Sequence, residues 1–210
     1  MTAHAEGVSS SYKLLFMDMH TQQLRRQINA QRRSQPIDVA TESASKICNS
    51  LCKLRAIHRA KSIGIYLAAF GEVNCDGFME RMLSREKSLF APILRKNQLL
   101  FAPLHLNTVL RHNQFGIAEP VYKSSQLRKP SELDVVITPL VAFDTHLNRL
   151  GMGGGYYDRS FAFKKRRNHL NRPRMIGLAY SFQRIDALSP QTWDVPLDVA
   201  ITEKESYGSY

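Results

Sequence analysis

The sequence predicts an α/β fold: a three-layer α/β/α domain with a mostly parallel central sheet. Three observations carry that prediction. Leu133-Asp-Val-Val-Ile-Thr-Pro-Leu-Val-Ala-Phe143 is a near-continuous apolar run rich in β-branched residues, the pattern of a strand buried on both faces. Shorter strand-like runs alternate along the chain with stretches of helical period, the order that builds parallel sheets through crossover helices. A glycine-rich segment then lies just beyond the long apolar run, and open α/β sheets bind ligands outside the carboxyl ends of their strands.

The elements follow in order. Residues 1–16 are Ser-rich and poorly periodic, which predicts a disordered extension ahead of a single domain over residues 17–210. From about His20 to Arg33 the period is helical and strongly basic. Pro36 is placed for the first turn of a second helix, which reaches about His58 with Ile47, Leu51 and Leu54 on one face. Ser62–Leu67 reads as the first strand, Ala68–Val73 as the loop at its carboxyl end, and Asp76–Glu86 as a helix. Apolar runs at Leu89–Leu94 and Leu99–Leu104 precede a polar stretch that lasts to Glu132. Beyond the long apolar run come the glycine loop, a helix from about Tyr156, and strands at Met175–Tyr180 and near Asp198–Thr202. No internal repeat or long linker divides the chain.

Composition narrows the class. A chain of 210 residues, 43% hydrophobic and 22% charged, suits one globular domain with a substantial core. No apolar stretch approaches the roughly 18 residues that span a bilayer. No basic-then-apolar leader opens the sequence, so a cytoplasmic protein without a membrane partner is expected, a monomer by default. Cys48, Cys52 and Cys75 contain no CxxC pair and fit reduced thiols. Cys48 and Cys52 share a helix face but lack the further ligands that zinc requires. The net charge of +11 attracts polyanions, whether nucleic acid, phosphorylated ligands or a polycarboxylate. Its densest clusters are Arg25-Arg26, Arg32-Arg33 and Lys164–Arg167, the last also the pattern of a solvated helix face.

The segment Arg149-Leu-Gly-Met-Gly-Gly-Gly-Tyr-Tyr-Asp158 concentrates the chemistry. Gly151, Gly153, Gly154 and Gly155, interrupted only by Met152, allow positive φ and let successive backbone N–H groups converge on an anion. Tyr156 and Tyr157 read as the opening of a helix whose free amides add to the same positive field. Arg149 can grip a phosphate with parallel donors, and Asp158 is a hard oxygen ligand suited to Mg²⁺. The segment matches neither a Walker A loop nor Gly-x-Gly-x-x-Gly. Glu72 lies in the loop after the first strand, where its carboxylate either is solvated or accepts from a nitrogen heterocycle. Asp194 is either a turn residue or the second carboxylate of a Mg²⁺–nucleotide site.

Together, Leu24-Arg25, Ile65-Tyr-Leu-Ala-Ala-Phe-Gly-Glu-Val73, Asp134-Val-Val-Ile-Thr-Pro-Leu-Val-Ala-Phe-Asp144, Asn148-Arg-Leu-Gly-Met-Gly-Gly-Gly-Tyr-Tyr-Asp-Arg159 and Trp193-Asp-Val-Pro-Leu-Asp198 form a specific pattern. It resembles the 5-formyltetrahydrofolate cyclo-ligase family in its bacterial form, from about residue 18 to the C-terminus. The resemblance implies ATP- and Mg²⁺-dependent conversion of 5-formyltetrahydrofolate, with or without a polyglutamate tail, to 5,10-methenyltetrahydrofolate. The formyl oxygen would be activated by phosphoryl transfer and N10 would then attack. ATP contacts would fall on Arg25, Arg149, Gly151, Met152, Gly153, Gly154, Gly155, Tyr156 and Tyr157. Substrate contacts would fall on Leu67, Glu72, Met152 and Tyr156, and Mg²⁺ on Asp158 and Asp194. Three positions depart from the family pattern: Thr21 stands in place of a lysine, Met152 in place of an arginine or tyrosine, and Gly154 in place of the lysine of animal members. The competing reading is a non-catalytic, nucleic-acid-binding or regulatory relative with the same fold. Arg149, Asp158 and Glu72 are all retained and no nucleic-acid-binding motif is present, so nucleic acid is not the expected partner.

Overall fold

The structure, a computed structural model, describes residues 4–166 and 172–208. In chain order it contains α1 (His4–Arg33), α2 (Ile37–Lys53), α3 (Arg55–Arg59), β1 (Ser62–Gly64), α4 (Asp76–Leu83), β2 (Ser88–Arg95) and β3 (Gln98–Leu104). The hairpin β4 (Leu110–His112) and β5 (Ala118–Pro120) precedes β6 (Val135–Thr138), β7 (Ala142–Phe143) and β8 (Arg149–Leu150). Then come α5 (Tyr156–Phe161), α6 (Phe163–Arg166), β9 (Arg174–Leu178), β10 (Val199–Ile201) and β11 (Ser206–Gly208).

Seven strands form one sheet in the order β11-β10-β9-β6-β1-β2-β3. The pairings from β2 across to β10 are all parallel, while β3 and β11 close the two edges antiparallel. The expected mostly parallel sheet is therefore present. Side chains alternate between its faces as the pleat requires. Val135 and Ile137 join Ile47, Leu51, Ile57, Phe78 and Met82 beneath α2, α3 and α4. Val136 points the other way, into a cluster with Phe101, Phe143, Phe161 and Met175 beneath α5. Both faces are covered, which makes three layers.

Several boundaries differ from the sequence pattern, each for a local reason. The second helix breaks at Leu54, whose backbone is extended (φ −64, ψ 131), and restarts as α3. The long apolar run is two strands rather than one. Pro139 has no N–H for the ladder, so β6 ends at Thr138 and β7 turns away to pair with β8 in a separate two-stranded ribbon. The first strand is laddered only to Gly64, although Ile65 N still donates to Phe90 O at 2.8 Å. The polar stretch after β3 contains the β4–β5 hairpin, and α1 extends well before His20. Of the basic run Lys164–Arg167, α6 holds the first three residues and Arg167 lies outside the described residues.

The topology creates the site. After β1 the chain moves outward to β2 and β3, then crosses back to β6 on the other side of β1. Loops leaving β1 and β6 diverge at that reversal and leave a crevice between them.

Candidate functional site

Asp144 fixes the ribbon that delivers the glycine loop. Its Oδ1 accepts the amides of His146 and Asn148, each at 2.9 Å, and its Oδ2 accepts Asn148 Nδ2 at 2.9 Å and Leu188 N at 3.0 Å. Burial pushes the Asp144 carboxyl up, but these bonds outweigh it and hold the group below its usual range. The ribbon aims Arg149 inward, where its side chain is 3% exposed and Nη2 donates to Asp158 Oδ1 at 2.7 Å. The guanidinium lies 5.4 Å from the centre of the Tyr157 ring. Arg149 Nε is buried without a hydrogen-bond partner among the described residues. Nη1 stands 3.7 Å from where a Cβ on Gly151 would be. One amine therefore holds Asp158 while the other faces the loop. Gly155, at φ +63, is the residue from which α5 starts, and a Cβ there would stand 2.6 Å from Arg159 Nη1. Only glycine suits both conditions.

Helix α1 closes over this loop. Arg25 Nε donates to Gly151 O at 3.0 Å, and Asn29 Nδ2 lies 3.6 Å from Met152 Sδ. Between helix and loop runs an open cleft of about 530 Å³ lined by Gln22, Arg25, Arg26, Asn29, Met152 and Gly153. That volume falls within the range of small-ligand sites.

The far end of α1 reaches the Ala68–Val73 loop. A Cβ on Gly71, whose φ is +78, would stand 2.9 Å from Arg32 O. Helix and loop are thus in contact. Arg32 is 3% exposed, and donates from Nε to Phe70 O at 3.1 Å and from Nη1 to Leu140 O at 3.3 Å. Glu72 Oε2 accepts Ala69 N at 3.0 Å. Burial pushes the Glu72 carboxyl up, against the opposing pull of the Ala69 N–H and of Arg32. The Tyr157 phenol is also pushed up, first by burial and then by the Glu72 charge, with Arg149 opposing. Glu72 and Tyr157 thus feel one another although one comes from the loop after β1 and the other from α5. Leu67 is half-buried against the core beside β1. Met152 is 55% exposed at the cleft, and the Tyr156 ring meets Phe115 of the β4–β5 hairpin edge-on at 6.2 Å.

Asp158 and Asp194 come together through the backbone. Val195 N donates to Asp158 Oδ1 at 3.1 Å, so the residue after Asp194 touches Asp158 directly. Asp194 Oδ2 accepts Gln191 N at 2.8 Å. Each carboxylate keeps one oxygen without a hydrogen bond among the described residues. No cluster of three or more His, Cys, Asp or Glu side chains that could hold a metal is found among them. A Mg²⁺ held here would have to take most of its ligands from phosphate and water, because these two carboxylates make no closed protein cage.

The structure thus gathers Arg25, Arg149, the loop Gly151–Gly155 and Glu72 around the crevice at the carboxyl ends of β1 and β6, with Tyr157 and Asp158 on α5, while Asp194 lies in the segment leading into β10, next to the residue that meets Asp158. Two neighbours were not singled out from sequence as site residues, Asn29 and Arg32. Their signal was available: Arg25, Asn29 and Arg32 recur at helical spacing and share one face of α1. A smaller cavity of about 270 Å³, lined by Arg55, Arg59, Asp134 and Arg172 among others, opens at the opposite, amino edge of β1 and β6. Asp134 there is committed to Lys61 N, Ser62 N and Arg172. No helix among the described residues is long and apolar enough to cross a membrane.

Comparison with known proteins points to one family. The profile of the 5-formyltetrahydrofolate cyclo-ligase family matches residues 18–203. The chain is 33% identical to the 5-formyltetrahydrofolate cyclo-ligase of Haemophilus influenzae, over 84% of this chain and 94% of that protein. It is 30% identical to the enzyme of the same name from Escherichia coli K12, over 83% and 96%. Among solved structures, the Aquifex aeolicus 5,10-methenyltetrahydrofolate synthetase superposes with a TM-score of 0.76 at 30% identity, covering 90% of this chain and 92% of that one. The Mycoplasma pneumoniae 5,10-methenyltetrahydrofolate synthetase superposes at 0.67 with 28% identity, covering 87% and 98%.

Proposed function

The chain belongs to the 5-formyltetrahydrofolate cyclo-ligase family, and from that premise we propose that it converts 5-formyltetrahydrofolate to 5,10-methenyltetrahydrofolate, with ATP as co-substrate and Mg²⁺ bound. Residues 17–210 are the single domain that carries the reaction, acting as a cytoplasmic monomer. The observation that supports this reading is a meeting of distant segments: Arg25 on the glycine loop and Asp158 on Val195, with Glu72 within electrostatic reach of Tyr157.

The chemistry follows from what the substrate lacks. The oxygen of an N-formyl group is a poor leaving group, and transfer of the γ-phosphoryl group of ATP turns it into a phosphate ester. N10 of the same molecule then attacks the formyl carbon, the carbon–oxygen bond breaks, and phosphate departs, taking up the proton that N10 gives away. Because N10 is tethered, the protein has mainly to hold a folded substrate pose. Phosphoryl transfer likewise asks for positioning and for neutralisation of the charge on the moving oxygens. Arg25, Arg149 Nη1 and the amides from Gly151 to Tyr157 face the phosphates in this reading. Mg²⁺ held by Asp158 and Asp194 would neutralise charge on phosphate oxygens. Leu67, Met152 and Tyr156 are the apolar wall for the folate, and Glu72 accepts from the N–H groups of its pterin. The Arg149–Asp158 pair sets where the carboxylate stands.

The test is near-ultraviolet absorbance of purified protein with 5-formyltetrahydrofolate, Mg²⁺ and ATP. A rise from the methenyl product that disappears without ATP supports the proposal. A flat trace from folded protein that still binds ATP points to another formyl or amide substrate. A flat trace without ATP binding sinks the enzymatic reading.

A further inference from the structure

Away from these residues, two thiols meet between α2 and α4. Cys48, half-buried on α2, has its Sγ 3.6 Å from Asn74 O. Cys75 is 1% exposed and stands at the N-cap of α4, with its Sγ 3.4 Å from Val73 O. The acceptors are carbonyls of successive residues, and the two sulfurs interact with each other. Cys48 also faces the first turn of α4, where the Phe78 N–H points at its sulfur, and the Arg81 guanidinium stands nearby. Arg81 Nη1 reaches Asn49 Oδ1 at 3.1 Å and Cys52 Sγ at 3.5 Å.

We propose that Cys48 and Cys75 form a peroxide-responsive modification site that closes to a disulfide between α2 and the N-terminus of α4. The thiolate is the reactive form of cysteine, and a helix N-terminus or a neighbouring cation favours it. The contact with Cys75 pulls the Cys48 thiol down, and against burial the Phe78 N–H and Arg81 add to that pull. The same contact and burial push Cys75 well up. Cys48 is half-buried whereas Cys75 is 1% exposed, so Cys48 is the sulfur that peroxide reaches and Cys75 the resolving one. In the first step the Cys48 thiolate attacks the O–O bond of hydrogen peroxide, giving a sulfenic acid, and the released hydroxide takes a proton to leave as water. In the second, the Cys75 sulfur displaces that hydroxyl, the S–S bond forms, and the hydroxyl leaves with the Cys75 proton as a second water. The two thiols lose two electrons, and the peroxide gains them.

The site is separate from the proposed reaction but linked to it through the backbone. Cys75 ends the segment that carries Leu67 and Glu72, and Tyr66 OH holds that segment by donating to Val73 O at 2.9 Å. A cross-link at Cys75 would anchor the loop to α2.

The experiment treats the reduced full-length chain with hydrogen peroxide, blocks remaining thiols, and maps peptides without reduction. The expected product is an intramolecular peptide pair joining Cys48 to Cys75, released by dithiothreitol and absent in Cys48→Ser and Cys75→Ser. In Cys52→Ser it should form in undiminished yield. A Cys48–Cys52 bridge, an intermolecular bridge, a Cys48 sulfinic acid with Cys75 still alkylated, or full alkylation of all three thiols would overturn the proposal. Should Cys75→Ser fail to fold, the Cys52→Ser chain decides alone, because only one intramolecular bridge remains open to it. None of these readouts depends on folate or ATP turnover.

Discussion

Asp158→Ala removes one half of an ion pair whose other half cannot reach water. Arg149 is 3% exposed and Asp158 17%, with 2.7 Å between Nη2 and Oδ1. Arg149 Nε is already without a partner among the described residues, so the variant leaves a buried guanidinium uncompensated. Breaking a buried pair in this way costs about 3–5 kcal/mol. For a chain of this length about 2–4 °C is lost per kcal/mol, so the melting temperature should fall by about 6–20 °C. Replacing both partners, as Arg149→Met with Asp158→Leu, removes both charges and should recover most of that loss. The thermodynamic cycle should then show a coupling of about 2–4 kcal/mol between the positions. The double variant should nevertheless stay inactive in the absorbance assay, because the proposed metal and phosphate contacts are both gone. Urea unfolding followed by circular dichroism measures the cycle of wild type, Arg149→Met, Asp158→Leu and the double variant, with Asp158→Ala alongside. A loss below about 1 kcal/mol for Asp158→Ala, the level of an exposed pair, or additive losses around the cycle, would refute the argument.

Three further perturbations separate the remaining roles. Glu72→Gln should weaken 5-formyltetrahydrofolate binding by about 10- to 100-fold, the cost of losing a charged acceptor, with ATP binding retained. The folded Glu72 carboxyl lies above its usual value, so its contribution is present at low pH and lost as pH rises through the folded value. The Gln variant should accordingly melt higher at neutral pH; a lower melting temperature or unchanged folate affinity defeats the assignment. Arg25→Ala should raise the ATP KM by about 10- to 100-fold through loss of a charged donor, with stability little changed, and steady-state kinetics with an unaltered KM would remove Arg25 from the site. Asp144 is held below its usual value, so its contribution is present above the unfolded value and lost as pH falls through the folded one. Asp144→Asn should therefore flatten the acid limb of stability in urea titrations from pH about 5 to 2, and an unchanged slope would count against it.

What the sequence disclosed follows from the range of each interaction. Val135, Val136 and Ile137 declared a strand buried on both faces, because burial there is a property of the strand itself. The glycine loop and the start of α5 at Tyr156 were equally local. The division of the long apolar run at Pro139 was also written locally, but the apolar content on both sides masked it. Arg149 and Asp158 were each assigned to a ligand, and nothing in their spacing revealed that the turn between them brings them to 2.7 Å. Glu72 beside Tyr157, Arg32 on Leu140 O and Cys75 beside Cys48 depend on strand order and on how α1, α2 and α4 lie across it. The sequence paired Cys48 with Cys52 by helical spacing, whereas the sulfur it meets belongs to the N-terminus of the neighbouring helix α4.

The C-terminal third of helix α1 is a rigid rod with two hands. Arg25 holds the glycine loop, and two turns later Arg32 holds the loop of Glu72, about 10 Å apart along the axis. A helix cannot lengthen to let one end settle while the other stays loose. Whichever reactant arrives first fixes the tilt of the rod and so spares the second part of the ordering cost. ATP and folate should each tighten the other's binding by the same factor, without touching one another and without any change in the sheet beneath them.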